Sequence, residues 1–177
     1  MTEEQIIQAV RAYVKTELSL TDGQVIVANE RGQRPAGAHV SVQVVSDVAV
    51  SRGGSVGSAS GGSLYTAQEC SQASALVICY GSSAATWAEA LRTRWCTERP
   101  AADAVRTAGL APLSPSATSD LSTSVDGAWE RRRGLTLDGY HATTSPATAA
   151  RVAASVTLTG TTSPASATFT ISQELTP

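Results

Sequence analysis

Two histidines, three cysteines, a few clustered carboxylates and one glycine-rich stretch are the features of this 177-residue chain whose chemistry goes beyond packing. A serine or cysteine nucleophile needs a base within hydrogen-bond reach. Only His39 and His141 can supply an imidazole, and neither sits in the context of a nucleophile elbow; both read as strand-edge or surface histidines. Cys70, Cys79 and Cys96 are an odd number without C-x-x-C spacing, which argues against a disulfide framework and, with two dispersed histidines, against a metal site. Cys79, in the apolar run Ala75–Tyr80, and Cys96, beside Trp95, read as buried free thiols. Asp120, Asp126 and Glu130 lie in or beside a loop rather than on one fixed face. The stretch 51–63, SRGGSVGSASGGS, has the glycines of a phosphate-binding loop but no lysine, and it opens no helix. The sequence therefore predicts no enzyme, no metal and no cofactor. The competing class is a small hydrolase using a serine or cysteine with His141.

The cluster Trp129-Glu130-Arg131-Arg132-Arg133 stands apart. On a strand, Trp129, Arg131, Arg133, Leu135 and Leu137 project to one side, and Glu130 and Arg132 to the other. Two arginines in line with two leucines need either partners or a sheet end open to solvent. One reading is a strand whose first half overhangs the core with solvated charges. The other is that the arginines pair with carboxylates of a neighbouring subunit, a contact that suits the planar guanidinium. A DNA-backbone role is a third reading, weaker because nothing else in the chain is basic.

These residues need elements to position them. Thr2 and Gln5 form a capping-box pair ahead of an apolar stripe of Ile6, Val10, Tyr13 and Val14, predicting a helix over Glu3–Leu18. A turn at Thr21–Gly23 precedes a short strand, Val25–Val27. Alternation from Val40 to Val50 predicts a strand with a dry face of even-numbered valines, and ALVICY predicts a strand covered on both faces. Residues 51–63, with five glycines and five serines, read as a long flexible loop. Ser82-Ser83 can cap a helix over Ala84–Cys96, and a second helix spans Ala101–Ala108 before Gly109. Leu110–Leu113 is extended, the stretch to Asp126 is mostly loop, and Trp129–Thr143 reads as one long strand. Ala150–Thr159 reads as another strand, Gly160–Ser166 as a turn, and Ala167–Ser172 as a last strand. The expected fold is α+β: one domain over 1–160 with a mostly antiparallel sheet of four to six strands, two or three helices and the Gly/Ser loop. Residues 161–177 form a C-terminal extension, an added strand or a partner-contacting arm.

Size and charge agree with a single core. A chain of this length buries about 69% of its extended surface, enough to fold without disulfides or metal. A net charge of −2, from 13 basic and 15 acidic residues, argues against a polybasic nucleic-acid or membrane-surface protein. No apolar run approaches the roughly 18 residues of a membrane span, and the opening MTEEQIIQAV lacks a basic leader, so the expected setting is a cytoplasm.

The segment Val25–Pro35 (VIVANERGQRP) with the valine-rich strand after it resembles the opening of the tailed-bacteriophage neck and tail terminator proteins. So do Gly109–Leu113, Asp120-Leu121 and Trp129–Arg132 leading into Leu135–Asp138 and Tyr140, in the same order and spacing. The resemblance spans most of residues 3–160. The charge-poor 51–63 stretch, Gly139 within a strand, and the tail after Gly160 depart from the pattern. The resemblance implies a structural virion protein, assembled in the host bacterial cytoplasm. By the same resemblance it would form a homo-hexameric ring that caps the head-proximal end of the tail tube and joins it to the head–tail connector or stopper protein. Its partners are then itself, the tube protein and the connector, with DNA only as passing cargo and no membrane. The alternative within this setting is a head-completion or adaptor subunit on the portal side. The expected interface residues are Arg131, Arg132 and Arg133, with Arg52, Ser55, Val56 and Ser58 of the 51–63 stretch.

Overall fold

The computed structural model describes the backbone of residues 1–28, 35–59, 62–97, 99–125, 127–146, 155–162 and 165–172; side chains of 52–59, 62–68, 144–146, 155–162 and 165–172 lie outside the description. The chain divides into two compact units, one of residues 1–53 and 68–144 and one of 54–67 and 145–177.

The first unit begins with α1 (Glu3–Leu18), where the capping box of Thr2 and Gln5 forms as the sequence predicts and Ser19 ends the helix in a left-handed conformation, φ 53°. Its stripe of Ile6, Val10, Tyr13 and Val14 is fully buried. A 3-10 turn at Asp22–Gln24 leads into β1 (Val25–Val27), which pairs in parallel with the start of β2 (His39–Ala59), Val25 opposite Val40. β3 (Gly62–Tyr80), α2 (Ala84–Arg94), α3 (Pro100–Thr107), β4 (Leu110–Pro112), β5 (Ser119–Asp120), β6 (Thr123–Val125), β7 (Ala128–Glu130) and β8 (Arg132–Pro146) follow. The main sheet runs β1-β2-β3-β8-β4, with β5 also paired to β8. β4 and β5 both run antiparallel to β8, with Leu110 opposite His141 and Asp120 opposite Arg133. The fold is α+β, with three helices among the described residues and a mostly antiparallel sheet, as the sequence predicts.

One core joins the helices to the sheet. The α1 stripe, Ala88, Leu91 and Trp95 of the α2 region, Ala102 and Val105 of α3, and Val40, Val42, Val77, Leu135 and Leu137 of the strands form a single apolar cluster. Trp95 anchors it: the indole stands edge-on to Tyr13 at 4.8 Å, and its Nε1–H donates to the Asp138 carbonyl at 2.9 Å. Tyr13 donates its hydroxyl proton to the Leu91 carbonyl at 3.1 Å, and burial pushes that phenol's pKa well up.

Several expectations are corrected. The glycine- and serine-rich stretch, expected as a loop over 51–63, carries strand backbone over 51–59 and 62–63; residues 60 and 61 lie outside the described residues. Glycine and serine keep their backbone donors and acceptors, and strand pairing needs no more. The dry face of β2 stops early: Val40 and Val42 are buried, Val44 is half-buried, and Val48 and Val50 are exposed. ALVICY is fully buried on one face only; Leu76, Ile78 and Tyr80 are half-buried. Ser83 occupies the N-cap of α2 without a side-chain hydrogen bond to it. The expected strand from Trp129 to Thr143 is two strands, broken at Arg131, and short strands occur within the expected loop before it.

In the second unit, β9 (Ser155–Thr162) and β10 (Ala165–Ser172) pair antiparallel in unbroken register from Ser155–Ser172 to Thr162–Ala165. Of the turn expected at Gly160–Ser166, residues 160–162 and 165–166 are strand, and 163 and 164 lie outside the described residues.

Candidate interaction site

The arginine cluster sits where the chain passes from a small hairpin into the main sheet. β6 and β7 form that hairpin, closed by Gly127 at φ 78°, with Ser124 opposite Trp129. At Arg131 the chain leaves this ladder, and its carbonyl instead accepts the Gly81 N–H at 3.0 Å. Gly81 has φ 99°, and a Cβ there would lie 3.0 Å from the Ala38 Cβ. Both the turn and the close approach require glycine.

The three arginines meet different fates. Arg132 donates to Glu130 through Nε at 2.8 Å and Nη2 at 2.5 Å, and its guanidinium lies 5.4 Å from the centre of the Tyr80 ring. Tyr80 in turn stacks on His39 at 4.4 Å. Arg133 pairs with Asp120 at 3.1 Å. The Asp120 carboxyl is held below its ordinary pKa, first by hydrogen bonds from Ser122 and then by Arg133. Arg131 is exposed, and among the described residues its guanidinium meets no carboxylate or carbonyl. Beside it Trp129 is 70% exposed. A concavity of about 250 Å³ lies between this corner and the start of α2, lined by Gly81, Ser82, Trp129, Arg131 and Arg133 among others. The arrangement suits contact with an acidic or aromatic surface. Arg52, Ser55, Val56 and Ser58 fall on β2 with their side chains outside the described residues.

Both histidines are buried, not at the surface: His39 is 2% exposed and His141 3%. His39 holds the Gly37 carbonyl through Nδ1 at 2.8 Å. His141 has Nε2 at 2.9 Å from Asp47 Oδ1, across the intervening β3, and Nδ1 at 3.1 Å from the Met1 ammonium. With the ammonium donating to Nδ1, the proton resides on Nε2 and Asp47 accepts it. The second nitrogen thus faces an ammonium where a hydrolase would present a hydroxyl or thiol. The Asp47–His141 pair escapes sequence reading because 94 residues separate its members.

The thiols divide. Cys79 is buried and its pKa is pushed up to about 12 by loss of hydration, whereas Cys96 is exposed, contrary to expectation, and donates to the Leu113 carbonyl at 2.9 Å. Helix α2 ends at Arg94, so Cys96 lies beyond the helix end that was to bury it. Among the described residues no three His, Cys, Asp or Glu side chains group as metal ligands, and no helix is long and apolar enough to cross a membrane.

A small α+β subunit with an aromatic and arginine-bearing corner open to contact is the class of protein this geometry defines. The chain matches the family model of phage neck terminator proteins over residues 4–163 and belongs to that family, a structural family of the virion neck. No curated protein matches it.

Proposed function

We propose that this chain closes into a ring, six-fold by the family resemblance, on the head-proximal end of the phage tail tube, where it stops tube growth and presents its other face to the head–tail connector. The observation that carries the reading is β2. Val48 and Val50 are 60% and 56% exposed on the strand face whose earlier valines, Val40 and Val42, are fully buried, and Val45 on the other face is 51% exposed. Apolar side chains in series on an open strand mark an interaction surface. Heterologous side-to-side contacts close such a ring, leaving its two faces free for different partners. Arg131 and the 51–63 stretch, with Arg52, Ser55, Val56 and Ser58, contact neighbours in this scheme, and 161–177 serves as an arm against a partner. It acts by binding, without turnover, and DNA passes through as cargo.

Light scattering on the eluting peak and negative-stain imaging test this. Six copies of 18.2 kDa give a ring of about 109 kDa. A chain that stays monomeric both alone and with tube protein refutes the reading. Labelling on the portal side of the particle, away from the tube, favours the adaptor role instead.

A further inference from the structure

The first unit carries a second open surface that the arginine corner complements. Between α1 and α3 runs a groove of about 780 Å³ with short side chains at Ala9, Ala12, Ala104, Ala108 and Ala142 along its floor, and Met1, Gln5 and Gln8 beside them, Met1 lying against Gly109. Such a floor lets a bulky side chain approach the helix backbones. Glu4 lines its rim, exposed, and accepts a hydrogen bond from Gln8 at 2.6 Å. The groove is therefore apolar below, and its edge carries the Glu4 carboxylate, free of any basic partner among the described residues, and the Met1 ammonium, which is turned to His141 and Thr143. The corner is the converse, an exposed indole at Trp129 beside the Arg131 guanidinium, which meets no carboxylate among the described residues.

The two surfaces also lie at different ends of one element. The corner adjoins the start of β8 at Arg132, while the groove includes Ala142, next to the His141 that pairs with Leu110. Ten strand residues separate them, roughly 33 Å along the strand. Complementary patches at opposite ends of a rigid strand cannot meet within one copy; between copies they would meet head to tail, the kind of contact that generates a ring where the rotation closes.

We propose that Trp129 and Arg131 of one copy seat in the α1–α3 groove of the next, the indole on the alanine floor and the guanidinium against Glu4. The occupant is a second copy of this chain, and the inference rests on the ring reading above. Aromatic anchors in small-residue pockets dominate interface energetics, so loss of the indole raises the concentration for half-assembly about thirtyfold or more.

The test uses the full chain, with tube protein present where assembly requires it. Trp129→Ala removes the anchor, and Ala104→Lys fills the groove and repels Arg131; both sites are exposed, so far-UV circular dichroism and Tm stay at wild-type values. Each variant alone is expected to lose the ring. Their equimolar mixture gives heterodimers and no ring, because only one anchor meets one intact groove. Arg131→Glu weakens assembly and Glu4→Arg in the same chain restores part of it. A photo-crosslinker at position 129 is expected to join a second copy at residues 1–12 or 104–109. Variants that assemble at wild-type mass, or a crosslink to tube or connector protein, overturn the docking while the ring stands. A wild-type chain that never assembles overturns both.

Discussion

Gly139 and Gly134 lie five residues apart on β8, and adding one methyl group to each separates two kinds of close approach. At Gly139 a Cβ would meet Leu110 Cδ1 at 2.8 Å, Leu110 Cγ at 2.9 Å and the Ala111 carbonyl oxygen at 3.1 Å. Leu110 is 2% exposed, and Ala111 belongs to β4, which is hydrogen-bonded to β8 at this point. Neither can retreat without moving the strand. Overpacking of this kind costs about 1–3 kcal/mol, offset by roughly 0.4–1 kcal/mol from reduced freedom of the unfolded chain. Gly139→Ala is thus expected to destabilise by about 0.5–2 kcal/mol net, a fall in Tm of about 1–8 °C for a chain of this size. At Gly134 the sole severe contact is Leu121 Cδ1 at 2.6 Å, the far end of a side chain 41% exposed, which can swing into solvent. Gly134→Ala is expected to be neutral within about 0.5 kcal/mol or to stabilise slightly. Urea melts with unchanged slope and scanning calorimetry read both. Equal losses at the two sites, or a gain at Gly139, would refute the packing argument, and with it the account of why this strand carries glycine there.

Trp95→Phe removes an indole hydrogen bond, but the Asp138 carbonyl keeps the Leu113 N–H at 2.8 Å. The expected loss is therefore about 1.5–3 kcal/mol, from one net hydrogen bond and a partial cavity without an orphaned acceptor; a larger loss in urea melts would contradict this. Cys79 should resist thiol reagents in the native chain and react once it is unfolded, whereas Cys96 reacts first; mass mapping of labelled peptides checks the order. The Cys79 pKa is raised by folding, so its contribution is complete below pH 9 and declines as pH climbs toward 12, by about 1.4 kcal/mol per unit. Tyr13 adds a loss of the same sign above its unfolded value near 10. Cys79→Ala is expected to flatten the fall between pH 9 and 10, and an unchanged slope there would count against burial as the cause.

Helix α1 was legible because two local signals agree in it, a capping box and a stripe at helical spacing, and both survive folding intact. β2 was legible as a strand over Val40–Val50, but its dry face holds only as far as Val44. Alternation says which side chains share a face, but how far the helical layer extends over that face depends on α1 and the helices that follow β3. The break at Arg131 left no periodic trace, since its cause is a hydrogen bond from Gly81, fifty residues earlier. The arginine corner was visible as composition. That Arg132 and Arg133 would be satisfied within the chain and Arg131 left open depended on Glu130, Tyr80 and Asp120 arriving from three different strands. His141 looked like a surface residue for the same reason, its partners Asp47 and Met1 being remote in sequence.

The position of β8 bears on how the polypeptide is made. It fills the slot between β3 and β4, and β5 leans on it too, so three earlier segments wait for residues 132–146. At roughly 5–20 residues per second of translation, the exposed edge of β3 stays unfilled for about 3–13 s after Tyr80 has been added. Until then the nascent chain offers an open ladder to any strand nearby, including the β8 of a sister polypeptide on the same message. Slowing the ribosome between codons 80 and 146 would lengthen that window and raise the yield of exchanged or aggregated chains.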